Sequence, residues 1–286
     1  MKLQLDTTVQ IHRLLNRSDN TVNLRLESLK ESAVSIEAST YTKKEFSFSL
    51  VKDCCTMLAR INRTKSLLDA MNFINLYGSK RKRFQSRMLA VMWKYQVSYT
   101  LKENWGDYGE NKRDEILGEQ FAQFLRIYIP TIWENFEKGL NLPLQDRTKC
   151  IFAHLGPKDN GRTFDLKTKR KCKDSIGCVL KNLIRGERTK GLKLLERLKK
   201  LEDDEKTKEI KKIQLVLERF FEDGDNEICY EMCNQGIGDF IIAIETHSDR
   251  TLVTTNTKES SIISPAICQE HIIIPVKDKS MKGNDE

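Results

Sequence analysis

Strand-forming sequence is confined to the two ends of this 286-residue chain, so any sheet must be assembled from segments more than 200 positions apart. Near the N-terminus, Leu3–Leu5 reads as a strand ending on Asp6, Val9–Leu15 as a helix, and Asn16–Asn20 as a polar turn. Val34-Ser-Ile is a second short strand. Ser39-Thr-Tyr-Thr then supplies capping hydroxyls for a helix that carries Glu45 in its first turns and runs on through Phe46, Leu50 and Val51. Near the C-terminus, Gly238 and Asp239 open a helix, Leu252-Val-Thr is a buried strand, and His271-Ile-Ile-Ile-Pro-Val is another. Alternating strand and helix imply a parallel sheet, and hence an α/β fold.

Between residues 61 and 225 the strand signals disappear. Leu89–Tyr99, Glu115–Lys138, Ile176–Leu183 and Lys208–Phe221 carry apolar residues at helical spacing, and Pro130 is expected to interrupt or kink the second of these. Residues 102–112 and 156–171 read as loops. The simplest organisation is one α/β domain built from 1–60 and 226–276, a mostly helical insertion at 61–225, and a polar tail at 277–286.

Four positions in the end segments form an ordered set. Asp6 ends a strand in a Leu-Asp-Thr context, and Glu45 follows a small, hydroxyl-bearing lead-in. Asp239 sits in Ile-Gly-Asp-Phe-Ile-Ile-Ala, and Asn256 closes Thr254-Thr-Asn. In this order, the set resembles the PIN-domain nucleases, whose pattern is a strand ending in Asp, a helix-borne Glu, a Gly-Asp opening a buried helix, and a strand ending in Thr-x-Asp. The resemblance covers about 110 residues at the two ends and leaves the middle unexplained.

It implies a three-layer α/β/α fold with Asp6, Glu45 and Asp239 holding Mg²⁺ or Mn²⁺, and Asn256 assisting. Such ions favour oxygen ligands, polarise a phosphodiester and hold the attacking water. The implied activity is endonucleolytic cleavage of nucleic acid, RNA in the first instance. Asn256 departs from the pattern, since an amide adds no negative charge, although Glu259 lies three residues on. That departure keeps open a second expectation, a PIN-like nucleic-acid-binding or interaction protein with a weakened site. A toxin held by a protein inhibitor or antitoxin is a third, against which the long insertion argues. Taken singly, Asp6 and Asp239 would pass for helix caps and Glu45 for a first-turn acid favoured by the helix dipole.

Charge points to the same class of partner. Residues 147–200 hold 17 Lys or Arg against 5 Asp or Glu, whereas the whole chain has a formal charge of only +8. Lys167, Lys169, Arg170, Lys171 and Lys173 form one cluster; Lys190, Lys193, Arg197, Lys199 and Lys200 form another. The local acids are too few to pair with them, so phosphate contact is expected there. Lys206–Lys212, by contrast, alternates with acids and reads as a solvated face.

Eight cysteines without an export signal fit a cytoplasmic protein with free thiols, and no apolar run is long enough to span a membrane. Cys150, Cys172, Cys178 and Cys233, with His154 and Cys229 nearby, are candidate ligands of a structural zinc. Their spacings lack the paired CxxC of specific zinc sites, so buried free cysteines are the plainer alternative. Cys54 and Cys55 read as core.

Overall fold

In a computed structural model, the description covers residues 1–15, 21–79, 81–98, 109–166, 178–222, 233 and 236–276. They fall into two compact units. The first comprises residues 1–42, 140–150 and 169–286; the second comprises 43–139 and 151–168.

The first unit is organised by side-chain alternation in β1 (Lys2–Leu5), where Leu3 and Leu5 face one way and Gln4 the other. β1 pairs in parallel with β2 (Ser35–Glu37) on one side and with β5 (Thr251–Thr254) on the other. β6 (His271–Ile273) adds to β5, again in parallel, which completes a four-stranded sheet of order β2-β1-β5-β6. Leu3, Leu5, Ile36 and Val253 bury themselves against α1 (Thr7–Leu15) and α2 (Thr21–Ser32). Leu252 faces a larger cluster built from α8 (Leu180–Gly186), α9 (Arg188–Lys200), α10 (Lys208–Phe221), α11 (Gly238–Glu245) and α12 (Thr257–Ala266). Helices therefore cover both faces of a central parallel sheet. The outer edge of β2 is occupied as well: the Asn141 and Gln145 amides donate to the Ile36 and Ala38 carbonyls at 3.0 and 2.9 Å.

The second unit is helical. It contains most of α3 (Thr40–Phe46), a π-helical turn at Ser47–Val51, α4 (Lys52–Thr64), α5 (Leu67–Ser79), α6 (Lys82–Ser98) and α7 (Glu110–Lys138). Ser39 caps α3 as expected, its hydroxyl accepting from the Thr42 amide at 3.0 Å. Cys54 and Cys55 are buried in α4, and burial pushes the Cys55 thiol up to about 12.

Three expectations are corrected. α7 is not interrupted at Pro130. The missing N–H leaves the Arg126 carbonyl without its helical donor, but Arg126 is only half-buried, so water can serve. Within the segment read as strand-free, β3 (Lys158–Asp159) and β4 (Phe164–Asp165) form a small antiparallel hairpin turning at Gly161, whose φ of 82° suits glycine. The segment 61–225 also does not stay together as an insertion. Its helices α8–α10 bury their apolar faces in the same cluster as α11 and Leu252, in the first unit. α2, unforeseen, uses Val22, Leu26 and Leu29 to seal the β1 face.

Candidate active site

Strand order reverses beside β1: the chain steps from β1 to β2 on one side and later returns to β5 on the other. Crevices at such points, beyond the carboxyl ends of the strands, are where open parallel sheets bind ligands. Asp6 is the residue immediately after β1, and Thr254 ends β5 beside it.

The Asp6 carboxylate is 3% exposed and held from three directions. The Thr7 amide donates to Oδ1 at 2.5 Å, while the Thr8 and Thr254 hydroxyls donate to Oδ2 at 2.8 and 2.7 Å. Those two hydroxyls are themselves fixed, since the Thr255 amide donates to Thr8 Oγ1 at 3.2 Å and the Asn256 amide to Thr254 Oγ1 at 2.9 Å. Burial raises the carboxyl above its ordinary range despite these hydrogen bonds, which favour the charged form.

Asp239 stands in the first turn of α11. Although 233 positions separate it from Asp6, both line one narrow cleft of about 10 Å³, together with Thr254, Ser260 and Ser264 over an apolar floor that includes Ile242 and Ile263. That volume is at the lower limit for a single water and holds no organic ligand. The Ser260 and Ser264 hydroxyls, 3.3 Å apart, face each other one turn apart on α12.

The other expected members are not among the residues that line the cleft. Glu45 lies on α3 in the second unit and is not among the residues lining the cleft. Asn256 caps α12 without a side-chain hydrogen bond and takes part through its amide. Glu259 does not supply the missing charge. It is buried, and its carboxylate accepts from Thr207 Oγ1 at 2.9 Å, at the start of α10.

Mg²⁺ and Mn²⁺ favour oxygen ligands and retain water in most of their coordination positions. Among the described residues, no three His, Cys, Asp or Glu side chains gather closely enough to hold a metal on their own. For the zinc set, Cys178 and Cys233 pack against the apolar cluster around α11, Cys150 is buried outside any disulfide, and Cys172 lies outside the described residues. No helix among the described residues is long and apolar enough to cross a membrane.

Of the basic clusters, Lys167, Lys169, Arg170, Lys171 and Lys173 lie outside the described residues. On α9, Leu194, Leu195 and Leu198 are buried, which leaves Lys193, Arg197 and Lys200 exposed along the other side of the helix. Lys190 instead pairs with Glu187 at 3.1 Å, and Lys199 with Glu222 at 2.6 Å.

Sequence reasoning missed Thr8, Ser260 and Ser264. The Ser-x3-Ser spacing on α12 was the one available signal, because it places both hydroxyls on one helical face. The chain matches no protein-family model, no curated protein and no solved structure.

Proposed function

We propose that this protein is a divalent-metal-dependent nuclease of PIN type acting on RNA, with Asp6 and Asp239 as carboxylate ligands. The observation that carries the reading is the meeting of these two acids in one cleft, at the point of the sheet where strand order reverses. Bound Mg²⁺ or Mn²⁺ supplies phosphoryl polarisation and an activated water. The chain's own part is positional. Thr8 and Thr254 hold Asp6 Oδ2 in a fixed orientation, and the first turn of α11 brings Asp239 to the lining of the same cleft. Asn256 is proposed to complete the site when RNA and metal are bound. Lys193, Arg197 and Lys200 are proposed to hold the RNA backbone through its phosphates.

One observation favours a second reading, a nucleic-acid-binding protein with a weakened PIN-like site: among the described residues the cleft has two carboxylates and no third acid.

Incubation with a mixed RNA pool separates the two. The nuclease reading expects cleavage that needs Mg²⁺ or Mn²⁺, stops in chelator and is abolished in Asp239→Asn. Metal-independent cleavage, or an Asp239→Asn variant cutting at the normal rate, sinks it. RNA binding without cleavage selects the second reading.

A triple replacement of Lys193, Arg197 and Lys200 by Ala, in the Asp239→Asn background, is expected to lower RNA affinity. It should also reduce the slope of log affinity against log salt by about 2, at roughly 0.7 per lost phosphate contact on a single strand. An unchanged slope in the binding titration would assign this face to solvent.

A further inference from the structure

Glu245 ends α11, six residues after Asp239, and is fully buried; the Ser39 hydroxyl and the Thr148 amide lie toward its carboxyl, but neither reaches full hydrogen-bond geometry. Its position compounds the cost, because the carboxyl lies at the C-terminal, partially negative end of a helix. Among the described residues, the cation beside it, Arg147, is committed elsewhere. Arg147 Nη1 donates to the Ile244 and Glu245 carbonyls at 3.0 and 2.9 Å, and Nη2 donates to Glu187 Oε1 at 2.7 Å. Asp146, the next residue, adds a repelling charge, although its own carboxylate accepts from the Thr40 hydroxyl at 2.8 Å. Ser39 and the Thr148 amide ease the charged form from the segments alongside. His247, two residues past the helix, is held below its usual range by burial and by the Arg147 and Arg250 charges, so it offers no second cation near neutrality.

We propose that Glu245 is a proton-dependent latch: protonated, it lets α11 pack closely; ionised, it loosens the C-terminal turn of α11 and with it the placement of Asp239. Regulation of the cleft by this route rests on the reading given above, whereas the latch itself does not.

The route follows from the contacts. An ionised Glu245 needs stronger donors than the loosely placed Ser39 hydroxyl and Thr148 amide. Either Arg147 leaves Glu187 and the two helix-end carbonyls to meet it, or the last turn opens to solvent. Both break the contacts that anchor α11. Burial pushes the Glu245 carboxyl up to about 8, from an ordinary value of 4.5. Because the folded-state value is the higher one, the protonated form's stabilisation is fully present below about pH 4.5 and is lost as pH rises through about 8.

The test uses denaturant unfolding and Mn²⁺ titration of the full chain at pH 5.5 and 8.5, for the wild type and Glu245→Gln. Between these two values, the wild type's unfolding constant should rise at least tenfold more than that of the variant. Its Mn²⁺ affinity should also fall short of the variant's at pH 8.5, after the shared pH effect at pH 5.5 is subtracted. Equal pH dependence of stability in the two proteins overturns the latch. A stability difference with no Mn²⁺ binding to either protein supports the latch and rejects the metal-site reading. A stability difference with Mn²⁺ binding that responds to pH equally in both rejects the link to Asp239. Should Glu245→Gln fail to fold, carbon-13 titration of the wild-type glutamate carboxyls decides: a Glu245 signal moving in the ordinary glutamate range overturns the proposal.

Discussion

Gly118→Val is expected to destabilise the helical unit by about 3 kcal/mol, the upper part of the range for overpacking. A Cβ built on Gly118 meets the Lys65 carbonyl carbon and oxygen at 3.0 Å and the Ser66 amide nitrogen at 3.1 Å. These are backbone atoms at the end of α4, and Lys65 already holds a left-handed conformation with φ of 56°. No flexible side chain is there to yield. Helix propensity pulls the other way, since glycine inside a helix costs about 1 kcal/mol relative to alanine. Gly118→Ala should therefore come out near neutral, with the clash and the propensity offsetting, whereas the branched side chain of valine leaves the clash dominant. Thermal unfolding followed by helical circular dichroism checks both: a fall of roughly 6–10 °C for valine and little change for alanine. A valine variant that melts with the wild type would mean that α4 and α7 separate at no cost.

The largest functional effect is expected at Asp6, where two substitutions should diverge. Asp6→Asn keeps the shape and one acceptor oxygen and removes a charge that burial disfavours. Its stability at pH 8 should equal or exceed that of the wild type. The sign follows from linkage: a carboxyl raised in the fold contributes most when protonated, and that contribution is lost as pH rises past its folded value. RNA cleavage by this variant should fall at least 100-fold, on the scale of losing a charge-stabilising group. Asp6→Ala should lose activity and also about 2 kcal/mol of stability, because it removes the acceptor for the Thr7 amide and for the Thr8 and Thr254 hydroxyls together. Melting curves and cleavage rates measured side by side are the check. An Asp6→Asn protein that is stable and cuts normally removes Asp6 from the chemistry; one that unfolds makes its charge structural.

Both acids of the cleft were legible in the sequence because each has a local signature: Asp6 ends an alternating strand, and Asp239 follows a glycine at a helix start. Their hydroxyl partners were not. Thr254 becomes a donor to Asp6 only through the β1–β5 register that sets Leu5 opposite Val253, and no local pattern contains a register between residues 248 positions apart. Helical spacing likewise showed that α8–α10 each bury a face without saying against what, and their partner is α11 in the sheet-bearing unit. Glu245 reads as an ordinary last-turn acid. Its neighbours include Arg147 and Thr148, from residues 140–150, which join the unit from the middle of the chain.

That three-part assembly of the sheet-bearing unit orders events during synthesis. β1 leaves the ribosome first, yet its neighbour β5 lies about 250 residues behind it. At roughly 5–20 residues per second, the wait is on the order of 10 to 50 seconds. Over that interval β1 has only the three-residue β2 beside it, and so small a pair does not hold by itself in water. The helical unit is complete in sequence by residue 168, so it can settle before either acid of the cleft has its final neighbours. Asp6 spends this period without Thr254 and without α11. Until β5 has emerged the chain therefore carries no formed cleft, and the strand pairing that joins β5 to β1 is the same event that creates the site.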